Sequence, residues 1–308
     1  MTSKMRSFLT CLLLWLPLAS SSLLRAYELE VDGVYIGIIG SHFAYVTNRD
    51  YSTLEPSYSG DVVVPEQVVY EGRTYNIVSV GPNAFYCCEG LRSVKLPSTV
   101  KAISASAFLG CTGLQWVDMP AGLQGINYTA FAACTSLKQI SLPRGTELVD
   151  SMTFYCCASL PSIILPHRVR TVCSTSMQHL CSLSDLYVFA SAPPLAEQGA
   201  FTLDDQKHCT LHVPAETLQK YKQAAVWQDF ASIVPLTDKE YTDQGYQRGD
   251  VNDDGAVDAA DLDLLQRIIV NLPDDSAVRW AADINEDGKV NAIDYVLFAD
   301  KLSHQQYE

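Results

Sequence analysis

Two twelve-residue stretches near the C-terminus of this 308-residue chain place oxygen donors at matched positions. The first runs from Asp250 to Asp261 and the second, thirty-three residues on, from Asp283 to Asp294. Positions 1, 3 and 5 supply side-chain oxygens from Asp250, Asn252 and Asp254, then from Asp283, Asn285 and Asp287. Position 7 offers a main-chain carbonyl, from Ala256 or Lys289. Position 9 is Asp258 or Asn291, a place often bridged by water, and position 12 is Asp261 or Asp294, which can bind through both oxygens. Gly255 and Gly288 stand at position 6, where a tight turn disfavours a Cβ. Hard oxygen donors at this spacing wrap a twelve-residue loop around Ca2+, so the expectation is two calcium ions.

Little else in the chain points to chemistry. His208, Cys209 and His212 form a loose group, a weak basis for a metal site. Cysteine–histidine nucleophilic catalysis needs an exposed thiol and a polar third partner, and the regular cysteines read as core. There is no Gly-x-Ser-x-Gly elbow and no phosphate loop. Paired carboxylates for glycoside hydrolysis are brought together only by a fold, and spacing marks none. The expectation is a chain that is not an enzyme.

Charge and targeting signals narrow the setting. The net charge is −14, and thirteen Asp/Glu against five Lys/Arg between Arg248 and Lys301 place −8 of it around the two loops. Bound cations would neutralise that region, and no basic patch suggests a nucleic-acid partner. Lys4 and Arg6 precede an apolar run from Phe8 to Leu18 and the small residues Ala19-Ser20-Ser21-Ser22, the layout of a secretory signal. Cleavage after the serines or after Ala26 fits equally. No other stretch is apolar for long enough to span a membrane. A hydrophobic content of 48% indicates that most of the mature chain folds.

The loops must be carried by something, and the preceding sequence is periodic. Phe85, Phe108, Phe131 and Phe154 recur every twenty-three residues, as do Cys88, Cys111, Cys134 and Cys157 and the leucines from Leu91 to Leu183. Val94, Val117, Ile140, Ile163 and Leu186 keep the same register. One such unit cannot bury its apolar residues alone, so the units stack into a solenoid with columns of like residues. Val94-Lys95-Leu96 alternates in, out, in, which reads as a short strand in a parallel sheet. The cysteine column reads as small apolar plugs rather than disulfides; one pair among Cys87, Cys156, Cys173, Cys181 and Cys209 remains open to oxidation. The outward row of the strands, Ser93, Lys95, Trp116, Asp118, Gln139, Ser141, Ser162, Ile164, Asp185 and Tyr187, is the candidate binding face, with Trp116, Ile164 and Tyr187 as its contact residues.

Ala84-Phe85-Tyr86-Cys87-Cys88-Glu89-Gly90-Leu91-Arg92-Ser93-Val94-Lys95-Leu96-Pro97 resembles the repeat of BspA-like bacterial leucine-rich repeat proteins. Four units match well. In the fifth, Met177 replaces Phe, Leu180 holds the Cys position and Phe189 replaces Pro. The flanks fit a β cap over residues 27–76 and a closing helix from Ala215 to Phe230, with Tyr221, Ala225, Trp227 and Phe230 over the open end. The twin loops, each followed by one apolar helix, resemble a type I dockerin. The resemblances imply a mainly β leucine-rich repeat solenoid over residues 77–235, a linker over 236–247 and a small all-α dockerin over 248–303, behind a signal over 1–26.

A dockerin implies calcium-dependent binding to a cohesin on a scaffold or surface protein, read by positions 10 and 11 of each loop and by the following helix. Here those positions are Ala259-Ala260 and Ala292-Ile293, with Gln266, Arg267 and Asn271 on the first helix. The combined expectation is a secreted, cell-surface-associated bacterial binding or adhesion protein whose solenoid takes a protein or glycan. The alternative is an accessory component of a polysaccharide-degrading, cellulosome-like complex.

Overall fold

The structure, a computed structural model, describes residues 27–50, 55–271 and 276–305; the expected signal segment lies outside them. The chain opens with antiparallel strands Leu29–Val31, Val34–Ile39 and Phe43–Val46. A second hairpin joins Gln67–Tyr70 to Arg73–Val80. Its two-residue turn, Glu71-Gly72, and the first turn, Asp32-Gly33, both have positive φ at each residue. Such turns match the right-handed twist of their strands, which explains the acid–glycine pairs.

The Phe43–Val46 strand then runs parallel to Arg73–Val80, and the ladder continues through Ala102–Ile103 to Gly125–Ile126. A second parallel ladder joins Gly60–Val63, Leu91–Lys95 and Trp116–Asp118, ending in a single bridge to Gln139. Two separate ladders take over further on. One joins Leu148–Val149, Thr171–Val172 and Leu195–Ala196. The other joins Ser162–Leu165, Asp185–Val188, Thr210–Val213 and Ser232–Pro235.

The columns read from the sequence form the core. Phe85, Phe108, Phe131 and Phe154 are fully buried and stack in turn. Tyr58 and Tyr35 extend the column into the cap. Beside it, the buried thiols of Cys111, Cys134 and Cys157 donate to the carbonyls of Phe85, Phe108 and Phe131 at 2.9, 3.1 and 3.1 Å. Each thiol thus ties its coil to the one before. Burial drives these thiols well above their ordinary range.

The C-terminal closure differs from a single helix. Residues 215–230 form a 3-10 turn at Ala215–Thr217, a short helix at Leu218–Tyr221 and a second 3-10 turn at Trp227–Asp229. Val226, with φ of 71°, breaks the run and turns inward, leaving Ala225 exposed. Tyr221, Trp227 and Phe230 still cover the end, and Trp227 Nε1 donates to the Pro194 carbonyl at 2.7 Å.

The C-terminal region is helical: Ala259–Ile268, Ser276–Ala282 and Ala292–Gln305. Val251, Leu265, Ala282 and Phe298 form its core. No helix of the described residues is long and apolar enough to cross a membrane.

Candidate metal centre and docking surface

The two acidic loops fold alike. In the first, Asp261 Oδ1 accepts from the amides of Val251 and Asn252 at 2.8 and 3.0 Å, and its Oδ2 accepts from Asp258 N at 2.9 Å. In the second, Asp294 accepts from Ile284, Asn285 and Asn291 at 2.9, 3.4 and 2.8 Å. Asp250 takes the amides of Asp254 and Gly255, and Asp283 those of Asp287 and Gly288. Asn252 and Asn285 accept from the position-5 amides, and the Asp254 and Asp287 carboxylates take the amides of Ala256 and Lys289. Gly255 and Gly288 have φ of 89° and 78°, the left-handed turn that brings these amides inward. Asp258 and Asn291 accept from Ala260 and Ile293, linking each loop to its helix.

Asp250, Asp261, Asp283 and Asp294 are buried carboxylates that accept from backbone amides. Burial, together with Asp253 and Asp261 nearby, pushes the Asp250 carboxyl above its usual range despite the amides of Gly255 and Asp254. A cation in the loop would relieve that cost, and the hard oxygen set suits Ca2+. Among the described residues no three His, Cys, Asp or Glu side chains form a ready-made cluster. Each loop mixes carboxylates with side-chain amides and a carbonyl instead, and His208, Cys209 and His212 form no such cluster.

His212 has another role. Its Nε2 lies 2.9 Å from Asp185 Oδ1, its Nδ1 lies 2.9 Å from Glu240 Oε1, and its ring stacks on Tyr187 at 4.3 Å. Burial raises the Asp185 carboxyl, but hydrogen bonds from Ser184 and His212 outweigh it and hold the group below its usual range. Glu240 belongs to the segment read as a linker. That segment is folded: helix Asp238–Asp243 starts at a capping box made by Thr237 and Glu240. Leu236, Tyr241 and Tyr246 pack on Phe189 and Ala277, with Ile164, Tyr187 and Trp280 against the cluster.

The outward strand row is therefore open only in part. Lys95, Trp116, Asp118, Gln139 and Ser141 are exposed. Ser93 is buried, because its hydroxyl donates to Asp61 at 2.7 Å. Ile164 and Tyr187, expected in solvent, lie beneath the 236–247 segment, which covers apolar strand positions with its own tyrosines. On the helical region, Ala259, Ala260, Gln266, Arg267, Asn271, Ala292 and Ile293 are exposed, and Arg267 pairs with Asp263.

Residues unremarked in the sequence tie the two regions together. Arg144 pairs with Asp253 at loop position 4, donates to the Gln244 carbonyl at 3.1 Å and lies over the Tyr246 ring at 4.5 Å. Arg248 donates to the carbonyls of Trp280 and Asp283, pairs with Asp238 and Glu286, and covers the Trp280 ring. A cavity of about 660 Å³ lies at this junction, lined by residues that include Arg144, Pro166, Arg168, Tyr246 and Asp254. Only the Thr237-x-x-Glu240 box carried a sequence signal for any of this.

Comparison with known proteins matches two parts of the chain. Residues 78–202 match the BspA type leucine rich repeat region in six copies, and residues 248–303 match the dockerin type I domain. No curated protein matches the chain. Among solved structures, a leucine-rich repeat protein of T. pallidum is similar at 30% identity, over 52% of this chain and 71% of that one, with a TM-score of 0.45. One from Bacteroides capillosus is similar at 30% identity, over 39% and 84%, with a TM-score of 0.34. A leucine rich cell surface protein from Faecalibacterium prausnitzii has 12% identity, over 70% and 96%, with a TM-score of 0.36.

Proposed function

We propose that this chain, which belongs to the BspA-type leucine-rich repeat proteins and ends in a type I dockerin domain, is a secreted, non-catalytic binding protein held on a surface or scaffold by a cohesin. Dockerin domains bind calcium. Here two ions would sit one in each loop, held by Asp250, Asn252, Asp254, the Ala256 carbonyl, Asp258 and Asp261, and by Asp283, Asn285, Asp287, the Lys289 carbonyl, Asn291 and Asp294. Calcium would fix each loop and thereby the helix that follows it; the remaining work is done by the exposed residues of the two helices. The observation that carries this reading is the near-identity of the two loops, in which a buried position-12 aspartate gathers three amides. Folding and ion binding are coupled in such loops.

The solenoid would present its ligand-binding face through the open part of the strand row, around Trp116. Its regular positions are spent on packing, which supports a binding role over a catalytic one. Calcium titration calorimetry on the full chain tests the ion count, with two sites expected. A pull-down with a cohesin module in calcium and in EDTA tests docking. Asp250→Ala with Asp283→Ala should abolish capture; capture retained by the double variant would contradict the role.

A further inference from the structure

The solenoid is interrupted. Among the described residues, no strand pairing joins the third coil (Gly125–Ile126, Gln139) to the fourth (Leu148–Val149, Ser162–Leu165), so both ladders stop at one level. The turn side stays closed there: Thr129, Phe131 and Ala133 donate to Ser151, Thr153 and Tyr155 at 3.0, 3.0 and 2.7 Å. The coils therefore part on their strand faces while remaining joined at the turns, as a hinge does.

The sequence supplies a cause. In the preceding coils, Gln115 N donates to Arg92 O and Lys138 N to Gln115 O, each at 2.9 Å. The next residue in that register is Pro161, which has no N–H to give to Lys138. On the other side of the seam, Thr146 stands in the buried column otherwise filled by Val100, Leu123 and Val169.

The seam lies under the dockerin attachment. The 138–141 edge, Ser162 and Ile164, with Asp243 and Gln244, line a cavity of about 400 Å³. Arg144, in the turn just beyond the third-coil edge, pairs with Asp253, which stands between the loop residues Asn252 and Asp254. On the fourth-coil side, Ile164 packs on the 236–247 cluster, and His167 Nδ1 lies 3.2 Å from the Tyr246 hydroxyl.

We propose that filling the first acidic loop with calcium clamps this seam: ordering the loop fixes Asp253, Asp253 holds Arg144, and Arg144 holds the third coil against the linker seated on the fourth. Among the described residues the second loop makes no such link to the third coil: Glu286 at its position 4 pairs with Arg248, which reaches the 236–247 segment at Asp238. The inference rests on the calcium reading above and adds a consequence for the solenoid. Ion binding at one end of the molecule would set the stiffness of the repeat array next to its open face.

Hydrogen exchange on the full chain tests it. On adding EDTA, amides of residues 138–145 should exchange about tenfold faster or more, along with those of 250–261, while residues 91–95 and 185–188 stay protected. Arg144→Ala in calcium should expose 138–145 and leave 250–261 protected. Pro161→Ala, which restores a donor opposite Lys138, should keep 138–145 protected in EDTA. If EDTA releases 250–261 but leaves 138–145 unchanged, the clamp is wrong and the calcium reading stands. If 250–261 does not respond to EDTA, the calcium reading fails and takes the clamp with it.

Discussion

Phe85 and Phe108 lie ring over ring, with centroids 4.8 Å apart and planes 5° from parallel. Phe108 repeats the contact on Phe131 at 5.0 Å and 6°, but Phe131 and Phe154 open to 6.0 Å and 15°. The column loosens at the level where the strands part. Phe108 is thus stacked by a ring on each side, whereas Phe154 has the looser Phe131 ring on one side and holds the column position before the buried Met177 on the other. Phe108→Ala should cost about 3–5 kcal/mol in urea unfolding, and Phe154→Ala toward the lower end of that range. Equal losses, or a larger loss at Phe154, would show that the seam is as well packed as the rest.

The thiols offer a second reading of the column. Cys88, Cys111, Cys134 and Cys157 are buried and free, whereas Cys181 is exposed. Burial raises the Cys157 thiol, and burial followed by Asp185 and Asp205 pushes Cys209 up to about 12, so neither presents a thiolate at neutral pH. A thiol reagent on the native protein should label Cys181 first and leave the column untouched until denaturant is added. Column labelling at the rate of Cys181, read by mass spectrometry, would mean that the coils breathe open.

The columns and the loops were legible because each repeats: a residue type held every twenty-three positions marks a stack, and donors at matched positions mark a cage. What was missed lies where the period is silent. Pro161 occupies a surface register held elsewhere by Arg92, Gln115 and Lys138, and its meaning appears only when that amide is seen to bridge coils. Left-handed backbone recurs at Cys87, Gly110, Ala133, Cys156 and His179, and one glycine in that row is too sparse a signature to mark it, because the turn ladder enforces the conformation at the others. Ile164 and Tyr187 read as an exposed row because strand alternation reports which way a side chain faces, not what lies over it. The capping box at Thr237 was present in the sequence but sat in a stretch read as linker.

The cap is fastened to the first repeat by an acid-sensitive contact. Arg92 Nε donates to Asp61 Oδ1 at 2.9 Å, Arg92 also pairs with Oδ2, and Ser93 adds a third bond. These bonds hold the Asp61 carboxyl at about 2, below its ordinary 3.8. A depressed carboxylate contributes stability that is present above its unfolded value and lost as pH falls through the folded one. The contribution should therefore fade between about pH 4 and pH 2. In an NMR titration the Asp61 midpoint should sit near 2 and return toward the ordinary range in Arg92→Ala. The pair is exposed, so only a small change in melting temperature is expected. An unchanged midpoint in the variant would show that Arg92 does not cause the shift.

Asp261 and Asp294 give the most specific test of the loops. Each is fully buried, and each uses both oxygens to gather amides from the start and the end of its loop. Asparagine keeps the shape but turns an N–H2 toward at least one donor amide and removes the charge that a cation would meet. Losing a hydrogen bond to a charged group costs about 1.5–3 kcal/mol, which is roughly ten- to a hundred-fold in calcium affinity at that loop. Asp261→Asn and Asp294→Asn should each leave one strong site in calorimetry and one weakened site. They should differ in reach, because only the first loop touches Arg144. Asp261→Asn should loosen residues 138–145 in hydrogen exchange, while Asp294→Asn leaves them as they are. A two-site isotherm unchanged in both variants would remove position 12 from the ligand set.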